Sequence, residues 1–337
     1  MGLHIGDIVP RTAVSFSDLK GKVIAVDAFN ALYQFLNSIR QPDGTPLMDS
    51  KGRVTSHLSG LFYRNIALLS EGVKLIYVFD GEYHKLKDKT HEIRQGAKEK
   101  MIEGYEKAVE EEDVDAMGKY SRGFSKLNSE MIEESKELLR AMGIAVVQAP
   151  GEGEMQCSEI VKRGDAWAVA SQDYDAIVVG ATRLIQNLTL ARTRKTNGGE
   201  VYISPEIIEY EKVINGLGVN KEQLISLAIL VGSDFNPKGV KGIGPKKALS
   251  LVKEKIFPVE IFRSLEEQGR VDFDWKEVYE IFNKPNVSSE KIEFPKIDEQ
   301  KIKKVLVEEH EFSLERVEKQ LAKLGVIRES AKQKTLF

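Results

Sequence analysis

The sequence predicts an α/β fold in which helices flank a central, mostly parallel sheet. Three short apolar runs have the composition of buried strands, and helical patterns separate them along the 337-residue chain. Each run ends at or just before an acidic residue. Because open α/β sheets bind their ligands at the carboxyl ends of their strands, we expect these acids to share one site.

The first two strands are predicted over 21–28 and 73–79. The first ends at Asp27, and Asp80 follows the second directly. The helices between these strands are predicted over 30–40 and 56–69. For Asp27 taken alone, a helix N-cap is the alternative role, since Asp is common there. A second strand that ends in Asp favours a shared site.

Four more carboxylates bracket a helix and the third strand, which is predicted over 166–171. They are Glu152, Glu154, Asp173 and Asp175. Each pair is spaced i, i+2, and in an extended backbone that spacing points both side chains to one face. Pro150 and Gly151 should keep Glu152 outside the following helix, where the two glutamates would point about 200° apart. Carboxylates repel one another by roughly 1 kcal/mol per pair at 4 Å in water, and hard divalent cations remove that cost.

The segment from 84 to 126 changes in character. Residues 84–107 hold seven Lys or Arg against five Asp or Glu, and strong strand signals are absent. A solvated helical hairpin is the simpler interpretation, since charged runs usually form exposed faces. The functional interpretation is a basic helical insertion that stands over the acidic edge of the sheet.

A second basic stretch lies between two predicted helices. The first, of strong apolar period, begins near 221 and ends at Gly232-Ser233-Asp234; the second has Pro245 in its first turn, a favoured position. Residues 236–255 contain six Lys and one Glu. The free N–H groups of a helix start bind anions. The glycines do not follow a strand, which disfavours a dinucleotide-binding loop and favours a hairpin that grips a nucleic-acid phosphate.

The remaining segments are assigned in chain order. Further strands are predicted over 144–147, 182–187 and 201–203, and a loop over 191–200. Further helices are predicted over 128–142, 298–306 and 312–324, with Pro- and Ser-containing linkers near 284–296. The polar stretch 329–332 predicts a disordered tail.

Composition bounds the class of protein. The chain is 42% hydrophobic and 30% charged, and no apolar run approaches the roughly 20 residues that span a bilayer. The amino terminus lacks the pattern of a secretory signal. The single cysteine, Cys157, rules out an intramolecular disulfide, and five scattered histidines disfavour zinc. A cytoplasmic protein is expected. Its net charge of −3, taken alone, disfavours nucleic-acid binding. The distribution of the charges matters more than their total, however.

These residues resemble the flap endonucleases, structure-specific 5′ nucleases of replication and repair, and most of all the archaeal members, whose cells have no nucleus. Six separated motifs carry the resemblance in the same order over essentially the whole chain. They are Val26-Asp27-Ala28, Phe79-Asp80-Gly81, Ala149-Pro-x-Glu152-x-Glu154, Asp173-x-Asp175, Gly232-Ser233-Asp234 and Gly242-Ile243-Gly244-Pro245-Lys246.

The resemblance implies a single nuclease domain over 1–326 and a flexible tail over 327–337. Its core would be the PIN-like sheet of 5′ nucleases. The basic insertion over 84–127 would be the helical arch through which a 5′ flap threads. The segment 221–256 would be a helix-hairpin-helix module on the downstream duplex.

The resemblance also implies two divalent metals, normally Mg²⁺, with Mn²⁺ as a substitute. One ion would be bound by Asp27, Asp80, Glu152 and Glu154. The other would be bound by Asp173, Asp175 and Asp234, some of them through water. Two such ions support in-line phosphodiester hydrolysis.

Several positions would contact DNA by the same resemblance. Lys87 and Arg94, two helical turns apart, would contact the scissile phosphate, and Tyr33 would stack on the base beside the cut. Gly2 would lie near the active site. The duplex would be held by Gly242, Gly244, Lys246 and Lys247. Carbonyls near Val240 and Ile243 would hold a monovalent cation.

The carboxyl terminus resembles the peptide that binds the replication sliding clamp. Gln333 is followed three residues later by Leu336, but the chain stops at Phe337, before the usual terminal aromatic pair. Plain disorder is the alternative interpretation. Gly151 and Met155 stand where the resemblance leads us to expect Ser and Ala, and neither change touches an acid.

The implied activity is Mg²⁺-dependent cleavage of 5′ flaps at branched DNA, with 5′→3′ exonuclease activity and 5′-phosphate products. The resemblance also implies that the free protein is a monomer. A mainly exonucleolytic or bubble-cutting 5′ nuclease is the closest alternative, although the bubble-cutting branch carries a far longer insertion. A silent junction-binding scaffold would not need all seven acids. A PIN-like ribonuclease would need neither arch nor hairpin.

Overall fold

The sheet of this computed structural model joins seven strands in the order β1-β9-β6-β5-β2-β3-β4. The structure describes residues 3–41, 43–111, 113–121, 126–190, 193–196 and 199–334. The strands are β1 Thr12–Ala13, β2 Val23–Asp27, β3 Lys74–Phe79, β4 Ala145–Gln148, β5 Ala168–Ala170, β6 Arg183–Gln186, β7 Thr193–Thr196, β8 Gly199–Tyr202 and β9 Glu206–Glu209. The β2–β3, β3–β4, β2–β5 and β5–β6 pairings are parallel. This confirms the predicted mostly parallel sheet.

Helices cover both faces of the sheet. In the described residues they are α1 Ala28–Ser38, α2 Ser56–Ser70, α3 Asp88–Glu110, α4 Val114–Ser121, α5 Ser129–Ala141, α6 Gly153–Lys162, α7 Asp175–Val178, α8 Tyr210–Leu217, α9 Lys221–Val231, α10 Pro245–Glu254, α11 Pro258–Glu267, α12 Trp275–Asn283, α13 Glu299–Lys303 and α14 Leu314–Lys334. A π-helix, Lys304–Glu309, follows α13 directly, and a 3₁₀ turn, Lys85–Lys87, leads into α3. None of the helices among the described residues is long and apolar enough to cross a membrane.

Successive side chains of a strand point to opposite faces of the sheet, and an apolar core lies on each face. In β2, Ile24 and Val26 point to the core shared with α1, α2, α5 and α14, whereas Ala25 points to the core shared with α6, α7 and α9 to α12. All three side chains are at most 1% exposed. Burial of Ile24 and of Val26 contributes about 1.5–3 kcal/mol each. The two cores hold the central strands in place from both sides.

One sequence prediction was wrong in this region. The segment 191–200, predicted as a loop, contains β7 and the start of β8, which pair only with each other as an antiparallel ribbon. A short polar ribbon gives no clear hydrophobic signal, which is why the loop prediction failed. The strand predicted at 201–203 is confirmed, because β8 includes Val201 and Tyr202. The sequence also gave no sign of β1 and β9, which close one edge antiparallel.

Each segment implied by the resemblance contains a pair of helices or part of a helix. The implied arch contains α3 and α4, and the implied helix-hairpin-helix contains α9 and α10. The implied tail boundary at 326 falls inside α14, which continues to Lys334. Leu336 and Phe337 lie outside the described residues.

A buried polar cluster joins the carboxyl-terminal part of the chain to the α1–α2 loop. The two ring nitrogens of His310 lie 3.2 Å from Asp49 Oδ2 and 3.0 Å from Glu134 Oε1. His57 Nε2 lies 3.7 Å from the other oxygen of Glu134, and Arg53 Nε donates to Asp49 at 2.8 Å. These contacts link His310, which follows the π-helix, to α5 and to the α1–α2 loop.

This cluster predicts a loss of stability as the pH falls. Burial lowers the pKa of His57 below its ordinary 6.5, against the opposing effect of Glu134. The unfolded chain therefore binds the extra proton as the pH falls through 6.5, and the free energy of unfolding decreases by at most about 1.4 kcal/mol per pH unit. Urea unfolding of the wild type and His57→Gln should show a shallower slope for the variant between pH values of about 7 and 5. Exposed His4→Gln is the matched control, and equal slopes for wild type and His57→Gln would contradict the assignment.

Candidate active site

The carboxyl ends of β2 and β3 place Asp27 and Asp80 side by side. Asp27 is also the N-cap of α1, and its Oδ1 accepts the Asn30 N–H at 3.1 Å. The capping and the shared-site interpretations of Asp27 are therefore compatible. Asp80 Oδ1 accepts the Gly153 N–H at 2.7 Å. These bonds fix one oxygen of each carboxylate at the edge of the sheet.

The start of α6 brings in the two glutamates. Glu152 is the N-cap, with extended backbone, and Glu154 lies in the first turn. The predicted irregular entry is confirmed. A Cβ on Gly153 would lie 2.6 Å from Asp80 Oδ1, so a larger residue would displace that carboxylate. Glu154 Oε1 accepts the Ser171 hydroxyl.

Asp173 and Asp175 do not follow the strand as the i, i+2 spacing predicted. β5 ends at Ala170, a bend follows, and Asp175 is the first residue of α7. The prediction of one extended face was wrong because the chain turns into a helix there. Asp173 Oδ1 accepts two N–H groups, from Leu3 at 3.0 Å and Tyr174 at 3.1 Å.

Asp234 reaches the same region from the end of α9. Gly232 ends that helix with φ +108°, a conformation that favours glycine, and turns the chain toward the sheet edge. Arg94 Nη2 lies 2.6 Å from Asp234 Oδ2, and Lys87 Nζ lies 4.0 Å from the same oxygen. Lys87 also pairs with Glu152.

The first turns of the arch dock directly on this acidic edge. The buried Thr90 hydroxyl donates to the Asp234 carbonyl, and Lys87 Nζ lies 5.2 Å from the centre of the Phe235 ring. The Tyr33 side chain is 40% exposed. Partial burial of its hydroxyl raises its pKa, and the nearby charges of Arg94 and Asp80 act on that pKa in opposite directions. The predicted cationic residues of the arch and the acids therefore form one site.

Burial and the charges of neighbouring carboxylates raise the pKa values of five of these acids. Burial, then the charge of Asp80, raises the pKa of Asp27 to about 8. Burial, then Glu152, raises that of Asp80 to about 6. The pKa values of Glu154, Asp173 and Asp175 are raised for the same two reasons. The pKa of Lys87 is also raised, which for a lysine favours the charged form. Burial alone would lower this pKa, but the charges of Glu152 and Asp234 outweigh that effect.

The donor set fits hard divalent cations. Asp175 Oδ1 and Asp234 Oδ1 are buried and accept no hydrogen bond within the described part of the chain. Such orphaned carboxylate oxygens suit Mg²⁺ or Mn²⁺. Among these same residues, however, no three His, Cys, Asp or Glu side chains are already gathered closely enough to hold an ion. The carboxylates instead accept N–H and O–H donors and pair with Lys87 and Arg94, so an ion would have to draw them together.

The lysine-rich hairpin forms a separate basic surface. Gly244 is the N-cap of α10 without a side-chain cap, Pro245 is the first helical residue, and Lys246 and Lys247 are exposed. Gly242 has φ +76° in the turn before them. The predicted helix start with free N–H groups is present. Gly2, expected near the acids, lies outside the described residues.

Sequence reasoning missed the supporting donors. Ser171, Thr90 and the Leu3 N–H contact the acids or their backbone, but hydroxyl and amide groups are too common to stand out by spacing. The position of Ser171 two residues before Asp173 was the only available signal.

Comparisons with known proteins give matches over nearly the whole chain. The XPG N-terminal domain matches residues 5–101 and the XPG I-region matches residues 143–234. Flap endonuclease 1 of Hyperthermus butylicus is 48% identical over 330 residues, covering 96% of this chain and 94% of the relative. The solved flap endonuclease-1 from Methanococcus jannaschii aligns with a TM-score of 0.76 at 41% identity, covering 97% and 98% of the two chains.

The fold extends to more distant structures. The catalytic core of Rad2 in complex with DNA substrate aligns with a TM-score of 0.69 at 22% identity, covering 96% of this chain and 99% of that core. That likeness is one of fold alone.

The fold and the acidic sheet edge define a nuclease of the XPG class. Within that class, identity over nearly the whole length of both chains decides the family: this chain belongs to the flap endonucleases. The family depends on divalent metal ions.

The raised pKa values predict a pH-dependent response to magnesium. Acids with raised pKa values keep their protons in the folded state, so stability without divalent ions falls as the pH rises from about 4 to 8. Mg²⁺ should therefore raise the melting temperature more at about pH 8 than at about pH 5. Scanning calorimetry with and without Mg²⁺ measures the difference. Asp175→Asn should reduce it, exposed Asp272→Asn should not, and an equal Mg²⁺ effect at both pH values would argue against metal binding by these acids.

Proposed function

We propose that this chain hydrolyses DNA at flap and nick junctions as a structure-specific 5′ flap endonuclease, with 5′→3′ exonuclease activity and 5′-phosphate products. The observation that carries the proposal is the docking of two arch cations, Lys87 and Arg94, on carboxylates at the sheet edge. Phosphate presented there would meet cationic donors on one side and metal-binding acids on the other.

The seven acids would hold two divalent ions, Mg²⁺ or Mn²⁺. Asp27, Asp80, Glu152 and Glu154 are assigned to one ion, and Asp173, Asp175 and Asp234 to the other. When bound, the ions supply a hydroxide nucleophile and offset the negative charge that develops on the phosphate and the leaving oxygen. The buried Oδ1 atoms of Asp175 and Asp234, which accept no hydrogen bond from the residues that the structure describes, support this assignment.

Lys87 and Arg94 would hold the scissile phosphate. In this structure the half-buried Lys87 side chain contacts Glu152 and Asp234, and Arg94 approaches Asp234 from the second turn of α3. Both must leave these carboxylates, at least in part, to contact a phosphate. The negative charge of the phosphate and the positive charge of the ions would each favour that exchange.

Specificity would come from DNA shape, because phosphate contacts position a duplex without reading its sequence. Tyr33 would stack on the base beside the cut, with Gly2 near the same site. The free N–H groups around Gly242 and Gly244, with Lys246 and Lys247, would hold the downstream duplex. A monovalent cation is proposed at the neighbouring carbonyls of the hairpin.

The remaining assignments concern organisation and partners. Residues 1–326 would form a single nuclease domain that is monomeric when free and works beside the chromosome in the cytoplasm. Gln333, Leu336 and Phe337 would bind the replication sliding clamp. The spacing of Gln333 and Leu336 supports this, with Gln333 in the last turn of α14.

The proposal predicts preference for one DNA shape. With Mg²⁺, the protein should cleave a double-flap substrate faster than nicked, bubble or single-stranded DNA of the same sequence, and gel analysis of end-labelled strands measures each rate. Asp175→Asn should abolish cleavage while leaving flap binding within a few-fold of wild type. Preference for single-stranded ends or bubbles would indicate another 5′ nuclease, and flap binding without any cleavage would indicate a junction-binding scaffold.

Lys87→Ala tests the role of the arch cation. Removing a charge that contacts the reacting phosphate should slow the single-turnover cleavage rate by about 10²–10³-fold, with much less effect on DNA affinity. Exposed Lys85→Ala, two residues away, is the matched control. A Lys87→Ala rate equal to that of wild type would place the phosphate contact elsewhere.

A further inference from the structure

The amino-terminal segment 3–11, here called the strap, connects the edge strand β1 to Asp173, one of the acids. Its far end is fixed by β1, where Thr12 and Ala13 pair antiparallel with β9. Its near end is Leu3, which is 2% exposed and donates its N–H to Asp173 Oδ1 at 3.0 Å. The strap therefore contacts a proposed metal ligand through its backbone.

One arginine fastens the strap to the segment that carries this acid. Arg11 Nη2 donates to the Gly6 carbonyl at 2.7 Å and to the Tyr174 hydroxyl at 3.1 Å. Tyr174 follows Asp173 directly, its ring is buried in the core, and its own N–H donates to Asp173 Oδ1. A single guanidinium thus links the middle of the strap to the residue beside the carboxylate.

The contact is closely packed. A Cβ on Gly6 would lie 2.9 Å from the Tyr174 hydroxyl and 3.0 Å from Arg11 Nη2, so a larger residue at position 6 would push against both groups. Both N–H groups, from Leu3 and Tyr174, converge on Asp173 Oδ1. Within the described residues, Asp173 Oδ2 accepts no hydrogen bond and is left for other ligands.

We propose that Arg11 is a positioning residue: by joining Gly6 to Tyr174 it holds the strap so that the Leu3 N–H orients Asp173 for divalent-cation binding. The proposal rests on the proposed function, since it takes Asp173 as a metal ligand. Groups that orient metal ligands typically change metal affinity by about 10–100-fold when removed. Arg11 touches neither metal nor DNA in this role and acts only through Asp173.

Binding of Mn²⁺ alone tests the proposal without relying on activity. The electron paramagnetic resonance signal of free Mn²⁺, titrated with full-length protein, gives the dissociation constant. Arg11→Met should raise it by about 10-fold or more. Tyr174→Phe, which removes one acceptor and keeps the ring, should raise it less, and Arg11→Lys should fall between Arg11→Met and wild type. The matched control is Glu206→Gln, because Glu206 contacts Arg11 on its other side at 3.5 Å.

Metal dependence of flap cleavage separates positioning from a general structural effect. For Arg11→Met, half-maximal cleavage should need more Mn²⁺, while the rate at saturating Mn²⁺ should approach that of wild type. Unchanged Mn²⁺ affinity in both Arg11→Met and Tyr174→Phe, with weakened binding in Asp173→Asn, would overturn the role of the strap and leave the metal site standing. Unchanged binding in Asp173→Asn would instead refute the proposed metal ligand itself. If Arg11→Met fails to fold, Tyr174→Phe decides between these outcomes.

Discussion

Repulsion among buried carboxylates at one edge of the sheet is the constraint on which the rest of the structure depends. Placing acids together in a partly dry site raises their pKa values and costs stability. The fold remains stable only if apolar packing elsewhere offsets this loss of stability. Here the central strands are packed between two apolar cores. The acids lie at the ends of strands or at the ends of helices, where the backbone fixes their positions.

The surrounding groups divide into those that hold the acids and those that balance their charge. Backbone N–H groups and the Ser171 hydroxyl fix individual oxygens without adding charge. Lys87 and Arg94 add positive charge from the arch. Because the balancing cations belong to an insertion and the acids to the sheet, the arch and the sheet are linked by charge as well as by packing. Substrate phosphate and metal ions would compete for the same pairings.

The site also draws on distant parts of the chain. The strap brings residue 3 beside residue 173, α9 brings Asp234 beside the arch, and the Gln156 side chain exchanges two hydrogen bonds with the backbone of Ser288, at 2.9 and 2.7 Å. Since Gln156 lies two residues after Glu154, this last pair ties the extended segment after α12 to the helix that carries both glutamates. The acidic edge is therefore held by contacts between segments that are far apart in the chain.

The sequence by itself determined the parallel core and the basic hairpin, and it marked seven acids as candidates for one site, because each leaves a local record: an apolar run, an acid at its end or a Gly-Pro helix start. Lys87 and Arg94 were assigned by the resemblance to the flap endonucleases. Only the tertiary structure decided how these groups meet. It turned Asp173 and Asp175 into a helical entry rather than an extended face, paired β7 with β8, and set Lys87 between Glu152 and Asp234. Such outcomes depend on contacts between residues far apart in the chain, and spacing along a sequence carries no record of them.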